Sequence, residues 1–307
     1  MSKKARSILG PLLLLTTVAV GFRYLMVHRE LLRQLKHTPI STTLLVMVLY
    51  MAMFGALLLI LGISIKICSK KIARQENSLL NAHSLLINFF IPGQSGPAYR
   101  GAYLHKRHKL KVKNYIAVTL LYYVFYAAVS ICLLMLGAGL WRQLLLATVL
   151  STAICALVIT KYPKYSKLRN KGLALSRSNV SILVAVTALQ AVIQIAIYAV
   201  ELRSVNHNIS FGQVIAYTGA ANLALFAAFT PGAIGIRESF LIFSEKLHHI
   251  NSANIVVANV IDRSIYLAFL LGILAIMVFV HAKGKINFRK LPLLVRQSFN
   301  LSYLYKS

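Results

Sequence analysis

The sequence predicts an all-α integral membrane protein with about six transmembrane helices plus two re-entrant helical hairpins in an inverted repeat. Three observations carry this. Apolar residues make up 58% of the 307 positions and the mean hydropathy is +0.70, as in polytopic membrane proteins. Six apolar runs approach or exceed the ~20 residues that a membrane helix needs. A Pro-Gly-x-x-Gly motif occurs twice, 139 residues apart, each time after a shorter apolar run.

The six runs lie at 8–27, 41–65, 114–138, 142–160, 179–200 and 254–281. The first has a basic start and continues through "YLMV", longer than a secretory signal core, so it reads as an uncleaved span. Shorter apolar runs at 79–91, 211–230 and 239–247 flank the two motifs. In the first motif, "FFIPGQSGPAYRGAY", the turn residues are Pro92, Gly93 and Gly96. In the second, "FTPGAIGIRESF", they are Pro231, Gly232 and Gly235. Each motif lies between two full spans, so the chain divides into units of about 41–138 and 179–281 within one transmembrane domain, 1–282. The basic tail, 283–307, is expected on the membrane surface.

Loop charge sets the orientation. With both hairpins entering and leaving on one side, 25 Lys and Arg fall in segments on one face and six in loops on the other. This bias puts both termini in the cytoplasm. It also brings the first hairpin in from the cytoplasm and the second from outside, an inverted repeat of the kind that builds many transporters. The half-helix after each Pro-Gly turn would present free N–H groups and a positive dipole end, which suit an anion.

Four charges lie in or beside the apolar runs of the second unit: Arg237, Glu238, Asp262 and Arg263. Unpaired at mid-membrane they would cost on the order of 10 kcal/mol together. They are therefore expected to face one polar cavity and to pair crosswise. Arg100, eight residues after Pro92, is the matching cation of the first unit. Glu201 falls in an outer loop, 201–210, by the end of its apolar run, and His248-His249 reads as an outer-loop pair. The aromatic set Tyr122, Tyr123, Phe125 and Tyr126 reads as a packed helix face.

The net charge of +28 does not point to nucleic acid, because the basic residues sit in short loops and no separate basic domain is present. Cys68, Cys132 and Cys155 lie in or at the edge of apolar runs and read as small buried hydrophobes. His105 and His108 share a helix face, but with no carboxylate or cysteine nearby in sequence they are expected to hold no metal. With six acids and no catalytic motif, neither an enzyme nor a cofactor is expected.

The stretches "FTPGAIGIRESF" and "ANVIDRSIYLAFLLG" resemble the lysylphosphatidylglycerol synthase transmembrane, or flippase-like, family over roughly 40–282. Its second-repeat pattern, P-G-G-x-G-x-R-E followed by a span with an Arg, matches Pro231, Gly232, Gly235, Arg237, Glu238 and Arg263. Its first, P-G-R-x-G-E-x-x-R, matches Pro92, Gly93, Gly96 and Arg100. This chain departs from it at Gln94 and Pro97, and at Tyr122-Tyr123 where the family carries Glu-Arg, so its first half-site is less charged. The resemblance implies a multi-pass protein of the bacterial-type inner membrane, a stand-alone member lacking the soluble synthase domain. It implies a lipid or lipid-linked-substrate translocase that binds an anionic phospholipid or polyprenyl-phosphate headgroup through Arg100, Arg237, Glu238, Asp262 and Arg263. The alternative is a non-transporting membrane partner of a glycosyl- or aminoacyl-transferase.

Overall fold

The computed structural model describes residues 38–91, 95–140, 142–143, 173–227 and 236–282, and these are helical apart from short connections. The expected span at 8–27, that at 142–160 from residue 144 on, the tail, Cys155 and the turn residues Pro92, Gly93, Pro231, Gly232 and Gly235 lie outside the described residues.

In the first unit, α1 (Ile40–Ile67) begins after Pro39, whose fixed φ and missing N–H suit a helix start. Its 28 residues extend roughly 42 Å, enough to cross a bilayer core of ~30 Å. It ends where Ser69 takes a positive φ of 56° and the Lys70 N–H donates back to the Ile65 carbonyl at 3.1 Å. Then come α2 (Arg74–Phe90), α3 (Ser95–His108) and the long α4 (Val112–Gly137). In the second unit, α5 (Arg177–Val205) is capped by Ser176 and α6 (Phe211–Ala224) by a capping box of Ser210 and Gln213. A 3₁₀ turn (Leu225–Ala227) extends α6, and α7 (Ile236–Phe243), α8 (Glu245–His248) and α9 (Ser252–Ala282) complete the unit.

Among the described residues four helices, α1, α4, α5 and α9, are long and apolar enough to cross a membrane, so the chain is a multi-pass membrane protein. They coincide with the apolar runs at 41–65, 114–138, 179–200 and 254–281. Leu44, Val48 and Met51 of α1, Leu120 and Val124 of α4 and Val192 of α5 are exposed, as a lipid-facing surface requires. Of these four, α9 is the most enclosed: 56% of its apolar stretch is buried, against 17% for α4.

Between the spans, α2 packs along α3 as a helical hairpin. A side chain at Gly96 would come within 2.5 Å of the Ser84 carbonyl oxygen, so only glycine permits this approach. In the second unit α6 packs on α7 in the same way. The main packing contacts obey one exchange rule. The pair α1–α2 corresponds to α5–α6, α2–α3 to α6–α7, α3–α4 to α7–α9 and α4–α5 to α9–α1. Within the units α1–α4 corresponds to α5–α9, and across them α4–α6 corresponds to α9–α2. The first spans, α1 and α5, pack on each other. Swapping the units thus preserves this neighbour pattern.

Two hydrophobic clusters form the core. One, around Leu86, Tyr217, Leu241, Ile255 and Leu270, joins α9 to α1, α2, α5, α6 and α7. The other, around Ile65, Leu104, Leu110, Val118 and Leu183, holds the α2–α3 hairpin against α1, α4 and α5.

Candidate functional site

Both units line one cavity of about 320 Å³. The α2 helix brings a polar stripe to it. Asn77, Asn81, Ser84 and Asn88 recur at helical spacing, and the last three line the cavity. Arg100 enters from α3, Tyr122, Tyr123 and Tyr126 from α4, and Gln190, Gln194 and Tyr198 from α5. Arg237, Asp262 and Arg263 close the other side.

The second-unit charges pair crosswise. Arg237 and Glu238 are adjacent in the first turn of α7, and Asp262 and Arg263 are adjacent on α9. The Arg237 guanidinium donates from Nη1 to Asp262 Oδ2 at 2.6 Å and from Nη2 to the Tyr198 hydroxyl at 2.8 Å. Its central carbon lies 5.3 Å from the Tyr198 ring centroid, within cation–π range. The Tyr50 hydroxyl donates to the other Asp262 oxygen. Arg263 donates from Nε to Glu238 Oε1 at 2.8 Å, and its Nη2 bonds the same oxygen. Arg237, Asp262 and Arg263 are buried, at 8%, 4% and 8% exposure, so each charge depends on its partner and not on water.

The first unit is built differently. Arg100 donates from Nη1 to the Asn81 side-chain oxygen at 3.2 Å, and its buried Nε has no partner. Tyr122 and Tyr123 stand beside it, at the positions where the family pattern has Glu-Arg. Among the described residues Arg100 has no carboxylate partner. The structure also corrects the reading of the aromatic set. Only Phe125 is confined to the packed core, whereas Tyr122, Tyr123 and Tyr126 line the cavity, and the Tyr122 hydroxyl donates to Gln190 Oε1 at 2.9 Å.

Glu201, assigned above to an outer loop, is instead inside. The α5 helix runs on to Val205, which buries Glu201 to 1% exposure next to Asp262. One of its carboxyl oxygens has no hydrogen-bond partner. The signal for this was the spacing Tyr198–Glu201, which puts both on one face of a continuing helix. His248 is corrected likewise. It is 1% exposed, bonds the Leu241 carbonyl at 2.9 Å and packs on the Tyr217 ring, while His249 takes a left-handed turn conformation.

The histidines after the first hairpin are also placed differently from expectation. A carboxylate approaches one of the two: His108 Nε2 lies 2.9 Å from Glu76 Oε1 across the hairpin, whereas His105 Nδ1 meets the Leu110 carbonyl at 2.9 Å. Glu76 also accepts from the Tyr103 hydroxyl at 2.6 Å and from Arg107 Nε at 2.8 Å. Partial burial pushes its carboxyl pKa up, but the bonds from Tyr103 and His108 and the nearby positive charge outweigh this and hold it below the ordinary value. Cys68 is buried, as its place in an apolar run predicted.

None of the curated proteins compared matches this sequence. The model of one protein family, described as "Lysylphosphatidylglycerol synthase TM region", matches residues 8–273, a span that contains both hairpins, the cavity, α1, α4, α5 and most of α9. By fold class, motif positions and this match over most of its length, the chain belongs to the lysylphosphatidylglycerol synthase TM region family.

Proposed function

We propose that the chain translocates an anionic lipid or lipid-linked substrate, holding the headgroup in the cavity between its two units. One observation carries the reading: the charge balance of the cavity. Arg237 and Arg263 are each matched by a carboxylate, whereas Arg100 is held only by the neutral Asn81. A half-buried guanidinium without a counter-ion recruits one, and its planar fork suits a phosphate or carboxylate. Arg237, Asp262 and Arg263 then form the far wall of the headgroup site, with Glu238 paired to Arg263 outside the lining. The family's association with a lipid-modifying enzyme agrees in substrate class.

In this reading the two hairpins are re-entrant and reach towards mid-membrane from opposite sides, as an inverted repeat requires. The units rock about the site to alternate access. The protein resides in a bacterial-type inner membrane with six spans and cytoplasmic termini. It needs no cofactor and makes or breaks no covalent bond.

The test is lipid movement in proteoliposomes, with fluorescent phosphatidylglycerol, phosphatidylcholine and a polyprenyl-phosphate sugar as separate probes. Acceleration of an anionic probe, lost at least tenfold in Arg100→Gln, is expected. No acceleration of any anionic probe overturns the reading. Cysteine labelling at positions 94 and 233 tests the topology separately, since labelling of both from one side sinks the inverted arrangement.

A second reading uses a feature that the first leaves aside. Lys109, Lys111 and Lys113 form an exposed basic edge beyond α3. A protein that docks a glycosyl- or aminoacyl-transferase there, without transport, would lose a co-purifying enzyme on charge reversal of these lysines and keep it in Arg100→Gln.

A further inference from the structure

The cavity reading leaves one buried group without a role. Glu201 is 1% exposed, one of its oxygens has no hydrogen-bond partner, and its carboxyl lies within hydrogen-bonding reach of Asp262. Asp262 already accepts from Arg237 and Tyr50. Ionised carboxylates are acceptors only, so two of them in contact repel and leave their facing lone pairs unmatched. One proton between them removes both penalties.

The groups facing Glu201 come from every element around it. Tyr50 stands on α1, Tyr198 on α5 itself, Tyr217 on α6, Arg237 on α7 and Asp262 on α9, while α4 brings Tyr126 towards Arg237. Arg237 is the cation of this set, and it is already bonded to Asp262 and Tyr198. An ionised Glu201 would therefore add a buried negative charge with no positive charge of its own.

We propose that Glu201 and Asp262 share a single exchangeable proton, and that this proton is the ion coupled to movement of the anionic headgroup. The inference rests on the headgroup reading of the cavity. With the proton bound, Arg100, Arg237 and Arg263 stand against Asp262 and Glu238, a surplus of one positive charge that an anion fills. With the proton released, Glu201 cancels the surplus and the anion is expelled. Proton and anion thus favour each other's binding, as linkage requires of two ligands that share one charge balance. The step is a proton binding from the water on one side of the membrane and leaving to the other, with no bond to carbon or phosphorus altered.

Two measurements on the full chain test this. In pH-difference infrared spectra of protein in phosphatidylcholine nanodiscs, wild type should show a protonated-carboxyl band that Glu201→Gln lacks. Absence of the band in wild type, or its persistence in Glu201→Gln, overturns the proton site without any reference to transport. In proteoliposomes carrying fluorescent phosphatidylglycerol, one pH unit across the membrane should shift the steady-state distribution of wild type by up to about tenfold for one proton per lipid. Glu201→Gln, fixed in the protonated shape, should still move the lipid with no such shift. A wild-type distribution that ignores the gradient overturns the coupling. A wild type that carries the infrared band but moves no lipid overturns the translocase reading and its coupling, and leaves the shared proton standing.

Discussion

The two units share a neighbour pattern but not a charge pattern. The second places three acids at or behind the cavity, Glu201, Glu238 and Asp262, and matches Arg237 and Arg263 with two of them. The first contains one acid between residues 40 and 137, Glu76, and uses it at the far end of the α2–α3 hairpin. Arg100 is left to Asn81 and the tyrosines. The difference teaches how to tell a structural charge from a working one inside a membrane. Charges that satisfy each other fix the packing of the helices bearing them. A cation held by neutral groups keeps its charge for a ligand.

The largest expected effect comes from breaking a matched pair. Asp262→Leu leaves Arg237 buried against Tyr198 alone and should cost about 3–5 kcal/mol, the usual penalty for orphaning one member of a buried ion pair. The double variant Arg237→Met/Asp262→Leu should recover most of this, because two apolar groups leave no uncompensated charge. Unfolding in a denaturing detergent series reads both. A double variant as unstable as the worse single one would mean that the second unit's charges do more than balance each other.

The next effect concerns how the hairpins dock. In the second unit α6 meets α4 through glycines: a side chain at Gly219 would come within 2.4 Å of the Leu134 nitrogen, and one at Gly137 within 2.3 Å of the Ala216 nitrogen. Close approach over small residues is how helices associate where no hydrophobic effect drives them together. The corresponding helix of the first unit, α2, meets α9 through larger side chains instead, with the Phe89 ring on that of Tyr266. Gly219→Ala should therefore cost about 1–3 kcal/mol, because backbone atoms must give way. Gly55→Ala and Gly272→Ala, where nothing lies within 4 Å, are the controls and should be neutral or slightly stabilising. Equal effects at all three sites would remove the distinction between the two docking modes.

Much of this was legible in the sequence, for identifiable reasons. A membrane span must be apolar over a fixed length, so α1, α4, α5 and α9 are visible as runs. The crosswise pairing was legible because Arg-Glu on one helix and Asp-Arg on another are adjacent pairs of reversed order. Glu201 was not. Hydropathy marks where the apolar run stops, not where the helix stops, and α5 carries on for five residues past its run. The cavity tyrosines were also hidden, since an aromatic face looks the same in sequence whether it meets lipid, core or cavity. Glu76 and His108, 32 positions apart, meet only because the hairpin folds back.

Arg100 tests the comparison from the side of function. Its replacement by Gln keeps a partner for Asn81 and removes a charge that no carboxylate balances, so stability should change by no more than about 0.5 kcal/mol. Translocation of phosphatidylglycerol should fall at least tenfold, equivalent to about 1.4 kcal/mol of headgroup binding. A variant that loses stability as Asp262→Leu does, while its activity tracks the folded fraction, would place Arg100 with the structural charges and erase the contrast between the units.

The smallest effect belongs to the first unit's one acid. Tyr103, His108 and Arg107 hold the Glu76 carboxyl below its ordinary pKa, against the opposing push of partial burial. A carboxyl whose folded value lies below its unfolded value, about 4.3, contributes its full stabilisation above that unfolded value. The contribution is lost as the pH falls through the folded value. Wild type should therefore lose stability between about pH 5 and pH 3, and Glu76→Gln should show a flatter profile over the same window. At pH 6 the variant should be the less stable by under about 1 kcal/mol, since Arg107 is 43% exposed and its pair is screened by solvent. At the acid end the two proteins should converge. Addition of salt should narrow the gap at pH 6, because it weakens the Arg107 attraction and leaves the Tyr103 bond in place. Profiles that stay parallel down to pH 3 would mean that Glu76 does not anchor the hairpin, and that the first unit holds its shape by its glycine contact at Gly96 and its apolar core alone.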